Sequence, residues 1–164
     1  RLGIERAPLI GHSMGGTVSL STAINYPERV SKVTVIGSPI VGSSLTLLLK
    51  LAGRRQIASM VYRMMGTLHF GLRIGAPIIT KDPRWYEMIS HDLSRTTLES
   101  FLMSIESLRL TDLRPFLGQI DIPAMGMYGD KDVIVHPNQW RLMQAHMSNV
   151  RIERFKNAGH FNRK

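Results

Sequence analysis

The stretch Ala7 to Tyr26, APLIGHSMGGTVSLSTAINY, constrains this chain more than any other. Ala7 to Gly11 is a short apolar run ended by glycine and reads as a buried strand. From Met14 to Tyr26, small and apolar residues recur at helical spacing (Val18, Ala23, Ile24) until Pro27 stops the pattern. Val30 to Ile36 is β-branched, ends at Gly37 and reads as a second buried strand. Strand, tight turn, helix, strand makes a βαβ unit, and two parallel strands need such a crossover.

Residues 11–15, Gly-His-Ser-Met-Gly, occupy the turn. A G-x-S-x-G match alone is weak, and its place between a strand and a helix gives it weight. A sharp strand-to-helix turn forces its central residue into a strained backbone conformation. Gly11 and Gly15, two residues to either side, must therefore lack bulk. The turn lifts the Ser13 hydroxyl clear of the sheet and sets it at a helix N-terminus, where unpaired amides and the helix dipole favour developing negative charge. The Met14 backbone N–H then points to where an oxyanion would form, and Gly16 gives the helix room to approach the sheet. Alternatively, Ser13 is an ordinary N-cap with glycines for packing.

A serine hydroxyl needs a positioned base, and the base needs an orienting group. Of six histidines, His12 sits beside the serine and is expected to point to the wrong side of the turn. His69 and His91 fall in a helical insertion, His146 lies within a helix, and His136 precedes Pro137 where a helix opens. His160 follows a strand in the loop NAGHF, with Gly159 giving backbone freedom, and is the expected base. Asp130 and Asp132 both follow the strand AMGMYG, at the end of the strand where open α/β sheets gather functional groups. Asp132 is preferred, because Asp130 directly follows the terminal glycine and suits bonding to turn amides.

Between the two α/β portions the pattern changes. SLTLLLKLAG, QIASMVYRMM and TTLESFLMSIESLRL read as helices, with Ala76 to Thr80 the only strand candidate. A helical insertion of this length exceeds an ordinary loop. Its methionines (Met60, Met64, Met65, Met88, Met103) suit core filling better than a cofactor box. The expected division is core over 1–40, a helical cap or lid over 41–110, and core over 111–164. In that last part Pro137 opens a helix, and Val150 to Phe155 alternates as a half-buried strand near a sheet edge.

The order Ser, Asp, His, each just after a strand, together with GHSMGG, YPERVSKVTVIGSP, IPAMGMYGDKDVIVHP and AGHF, resembles the α/β-hydrolase superfamily, in particular its lid-bearing esterase, haloperoxidase-like and C–C hydrolase groups. The resemblance covers both ends of the chain and leaves residues 41–110 as the family's variable cap. It implies an α/β fold made of the C-terminal part of a parallel sheet, with Ser13 as nucleophile, His160 as base and Asp132 as orienting acid. It implies an acyl-enzyme, a carboxylic ester or similar acyl substrate, and neither a metal nor an organic cofactor. The same triad also serves C–C bond hydrolysis, acyl transfer, cofactor-free haloperoxidation or a ligand-binding relative. The family's sheet begins several strands earlier and usually closes with a further helix. The chain is thus expected to be a fragment truncated at both ends, lacking the second oxyanion donor and leaving one edge of the nucleophile strand open.

Charge bears on the partner. Of 21 Lys and Arg against 12 Asp and Glu, eight bases (Arg29, Lys32, Lys50, Arg54, Arg55, Arg63, Arg73, Lys81) fall between Arg29 and Lys81, where there is no acid. Such a segment can attract an anionic group or be a solvated helical face. Aromatics are not interleaved with it, which argues against nucleic acid. A small apolar or acyl substrate, able to carry an anionic group, is expected. No apolar run approaches the roughly 20 residues of a membrane-spanning helix, and the first ten residues lack the pattern of a secretory signal. With no cysteine, disulfides, thiolate metal sites and cysteine nucleophiles are excluded. Cytoplasmic is the default location, and the oligomeric state is left open.

Overall fold

β-branched residues suit a strand buried within a parallel sheet, and Val30–Ile36 (β2) is such a strand, with Val30, Val33 and Val35 at most 1% exposed. The computed structural model describes residues 3–52, 91, 95 and 97–160. Before β2 come Ala7–His12 (β1) and the helix Met14–Asn25 (α1). After it come Leu47–Ala52 (α2), Leu98–Leu110 (α3), Ala124–Gly129 (β3), Gln139–His146 (α4) and Val150–Phe155 (β4).

The four strands among the described residues are parallel, in the order β1-β2-β3-β4. The register keeps their carboxyl ends level, with His12 opposite Ile36, Ile36 opposite Met127, and Gly129 opposite Phe155. Val33, Val35, Ala124 and Tyr128 share one core with Leu20 and Ala23 of α1 and Met143 of α4. Leu20 is fully buried, and truncating such a side chain to alanine costs about 2–5 kcal/mol. Among the described residues β1 forms one end of the sheet, and Ile10 on it is 74% exposed. β4 forms the other end, consistent with its alternating pattern.

Pro27 ends α1, and the last-turn amide of Tyr26 donates to the Thr22 carbonyl. α4 opens two residues later than its proline suggests, at Gln139. The Thr97 hydroxyl accepts the Ser100 amide at 3.2 Å, which settles the start of α3. Two compact units result, residues 1–46 with 108–164, and residues 47–107. The helix expected over 56–65, the strand candidate at 76–80, His69 and four of the five methionines assigned to core filling (Met60, Met64, Met65, Met88) lie outside the described residues. No helix among the described residues is long and apolar enough to cross a membrane.

Candidate active site

Because the strands are parallel and level, whatever follows each of them gathers at one rim. Ser13 follows β1, Gly37 follows β2, Asp132 lies three residues beyond β3, and His160 lies five beyond β4.

Ser13 adopts φ 52 and ψ −123, a region that costs a non-glycine residue about 1–3 kcal/mol. Its amide donates to the Ile36 carbonyl at 2.8 Å, and its carbonyl accepts the Gly16 amide at 3.0 Å. The turn is thus pinned from both sides. A Cβ on Gly11 would lie 2.2 Å from the Gly15 carbonyl oxygen, so the first glycine of the motif is required by backbone contact. Gly15 meets nothing within 4 Å at that position and carries no such demand. A Cβ on Gly16 would lie 1.9 Å from Ser38 Oγ, so the room it leaves is filled by the segment following β2. Ser13 stands at the N-cap position of α1, yet its side chain makes no capping bond. That disfavours an ordinary N-cap, since strain without a cap bond gives the helix nothing. Met14 opens α1, so its amide belongs to the first turn, whose N–H groups have no acceptor within the helix.

Asp132 and His160 come together from positions 28 residues apart, with side chains only 2% exposed. His160 Nδ1 donates to Asp132 Oδ2 at 2.7 Å. In the neutral ring the basic nitrogen is then Nε2, the tautomer a proton acceptor needs. Asp132 Oδ1 accepts the amides of Ile134 and Val135, each at 2.9 Å, which fixes the carboxylate plane.

The loop carrying His160 crosses the end of β3. Its Ala158 carbonyl accepts the Lys131 amide at 2.9 Å, and a Cβ on Gly129 would lie 2.4 Å from that same oxygen. His160 then lies beside Gly37 and His12 at the ends of the next two strands. His12 Nε2 donates to the His160 carbonyl at 3.0 Å, and the two rings stand 4.8 Å apart.

Besides the demand placed on Gly15, three further local expectations are corrected by this geometry. His12 does not point away from the expected base but packs against it. The strand pleat sets its side of the sheet, while the loop that returns to that side comes from 148 residues away. Asp130 does not serve the turn amides. Its carboxylate pairs with Arg154 at 2.8 Å, a partner that the parallel β3–β4 register supplies, and the amides go to Asp132 instead. The left-handed residue of the histidine loop is Asn157, φ 66, rather than Gly159, because asparagine tolerates that conformation too. Gly37 and Gly129 carried no expected role beyond ending strands. Their only signal was glycine at two strand ends in succession.

Tyr128 Oη donates to the Ser38 carbonyl at 3.2 Å beneath this rim. Burial first, and the Asp132 charge second, push its phenol well above the ordinary value. The folded state therefore holds this proton more tightly than the unfolded chain does. Its contribution is complete below the unfolded value of about 10 and is lost as pH climbs beyond it. Stability should fall above about pH 10, and Tyr128→Phe should flatten that fall while costing about 1 kcal/mol at neutral pH. Denaturant melts of both proteins on either side of that pH check it, and an alkaline fall of equal depth in the variant contradicts it.

A serine on a strained turn and a buried carboxylate–imidazole pair, both following strands of one parallel sheet, place the molecule among the open-sheet α/β proteins that work at a strand rim. Within that class the chain belongs to the alpha/beta hydrolase fold family, whose family model matches residues 1–162. It is 28% identical over 171 residues to a 2-hydroxy-6-oxo-6-phenylhexa-2,4-dienoate hydrolase of Burkholderia cepacia, covering 98% of this chain and 58% of that protein. It is 30% identical over 168 residues to 3-oxoadipate enol-lactonase 2 of Acinetobacter baylyi, covering 91% of this chain and 60% of that protein. Among solved structures, a hydrolase from Pseudomonas aeruginosa PA01 shares the fold with TM-score 0.78 and 22% identity, over 97% of this chain and 59% of that one. The chain therefore spans a little under two thirds of the length of these relatives.

Proposed function

We propose that this chain carries the catalytic centre of a serine-dependent hydrolase acting at the carbonyl carbon of a small acyl substrate. Ser13 attacks the carbonyl, His160 Nε2 takes its proton, and Asp132 holds the imidazole tautomer and stabilises the imidazolium. The Met14 amide faces the developing oxyanion as one of its donors. Collapse of the tetrahedral species expels the leaving group, which takes the proton from His160, and leaves an acyl group on Ser13. Water activated by His160 then releases the acid and restores the serine. The 2.7 Å carboxylate–imidazole bond, whose imidazole packs on His12 next to the strained serine in the chain, carries this reading.

The relatives refine the substrate class. Their names describe hydrolases of dienoates and dienedioates and a lactonase of an oxoadipate derivative, so those proteins act on small carboxylates. The basic segment Arg29 to Lys81, which carries no acid, suits such a substrate by charge alone. We assign residues 41–110 the role of the variable lid that selects it. Cleavage is either of an ester or lactone C–O bond or, as in the named dienoate hydrolases, of a C–C bond next to a ketone.

Two measurements test this. A fluorophosphonate should leave one adduct on Ser13, found by peptide mapping. KM for a carboxylate-bearing ester or vinylogous ketone should rise severalfold with salt, while KM for an uncharged ester stays level. Absence of the adduct removes the serine mechanism, and equal salt response removes the anionic substrate.

A further inference from the structure

The strand order sets a problem that the triad alone does not solve. Ser13 hangs from β1 and His160 from β4, with the ends of β2 and β3 between them. Neighbouring strands lie about 4.8 Å apart, so the histidine loop must cross roughly 10 Å of rim before its ring nears the nucleophile strand. Any bulk standing up from the ends of β3 and β2 would block that path. Both ends are glycine, Gly129 and Gly37.

Gly129 lies under backbone, with the Ala158 carbonyl 2.4 Å from where its Cβ would be. Gly37 lies under the chemistry itself. A Cβ there would stand 3.3 Å from Asp132 Oδ2, 3.3 Å from His160 Nδ1 and 3.4 Å from His160 Cε1. Those first two atoms are the acceptor and donor of the carboxylate–imidazole bond. Gly37 also adopts φ +54, where a side chain is disfavoured.

The backbone at this point has little room to move aside. The Gly37 amide donates to the Met127 carbonyl at 2.8 Å. Just beyond it, the Ser38 carbonyl accepts Tyr128 Oη at 3.2 Å, and the Pro39 carbonyl accepts the Thr17 hydroxyl at 2.7 Å. The amides of Ile40 and Val41 both donate to the buried Gln139 Oε1, at 2.9 and 3.1 Å. Ser38 and Ile40 are fully buried. A methyl group added at residue 37 would therefore push on the side chains above it rather than move the strand end below.

We infer that Gly37 is a positioning residue, a flat floor at the end of β2 that sets how closely Asp132 and His160 approach and where the imidazole sits over the rim. This rests on the triad assignment above. The test uses the 164-residue chain as wild type, Gly37→Ala, and Gly3→Ala. Gly3 shares a left-handed backbone, φ +66, but has open space at its Cβ position and so controls for backbone strain.

Two readouts go beyond folding. The proton on His160 Nδ1, recognised as the far-downfield NMR resonance that Asp132→Ala abolishes, should disappear or move upfield in Gly37→Ala and stay in Gly3→Ala. Phosphonate labelling of Ser13 should slow by about tenfold in Gly37→Ala, since the side chains above must give by a few tenths of an ångström and a misplacement of about 1 Å costs about 100-fold, and by less than about twofold in Gly3→Ala. A resonance and labelling rate unchanged in Gly37→Ala overturn the proposal. If wild type takes no phosphonate, the triad assignment falls while the resonance still decides the role of Gly37. Should Gly37→Ala melt too early for either readout, Asp132→Ala/Gly37→Ala decides. Removing Oδ2 relieves part of the crowding, so the two losses of stability should be less than additive, and strict additivity overturns the proposal.

Discussion

Ser13→Ala should abolish phosphonate labelling and lower turnover of a good acyl substrate on the order of a million-fold, to the rate left by the remaining binding groups. The size follows from the unit the serine belongs to. Without its oxygen, the His160 and Asp132 pair has no proton to accept, so removing the nucleophile costs about as much as removing the whole triad. The fold should survive the change. The Ser13 side chain caps nothing in α1, and the turn is held by backbone bonds to Ile36 and Gly16 that alanine keeps. The melting temperature should therefore stay within a few degrees of wild type while activity disappears. Alanine also sits poorly at φ 52, so a small loss of stability is compatible with this outcome, whereas retained labelling is not.

Substituting Asp132 should have the next largest effect, and its two oxygens allow the roles to be separated. Oδ2 takes the His160 Nδ1 proton, and Oδ1 takes the amides of Ile134 and Val135. Asp132→Asn keeps an oxygen for the amides and turns an NH2 toward the imidazole. That favours the tautomer with its proton on Nε2, and turnover should fall about 10⁴-fold with stability nearly kept. Asp132→Ala should match that loss in rate and also leave two amides without their acceptor, at about 1–3 kcal/mol for a buried unsatisfied group. The informative quantity is the difference in melting temperature between the two variants at similar residual rates. Equal melting temperatures would mean that the amide bonds do not hold the loop.

Much of this site is legible in the amino-acid sequence. GHSMGG announced a strand-to-helix turn because its glycines and its position between two periodicities leave few other local structures. The strand ends at Gly37, Gly129 and Phe155, and the helix stop at Pro27, were legible for the same reason, since backbone preferences act within a few residues. Less could be read of what crosses between elements. His12 was expected to face away because a strand's pleat is local, but the loop that meets it comes from the far end of the chain. On sequence, Asp132 is preferred because Asp130 suits the turn amides, and the structure gives those amides to Asp132 instead. The β3–β4 register, which brings Arg154 beside Asp130, sets that carboxylate in an ion pair, while Asp132 bonds the imidazole. Gly37 looked like an ordinary strand terminator until the imidazole was found above it.

The amino-acid sequence by itself determined the strand and helix types among the described residues, the strained serine turn, and the loops that carry Asp132 and His160. Each of these depends on backbone preference and on residue chemistry within short windows. Only the tertiary structure decided the strand order, and with it the path that the histidine loop takes over Gly129 and Gly37 to reach His12. Strand order is a matter of long-range packing, in which each pairing wins by burying surfaces that no local window contains.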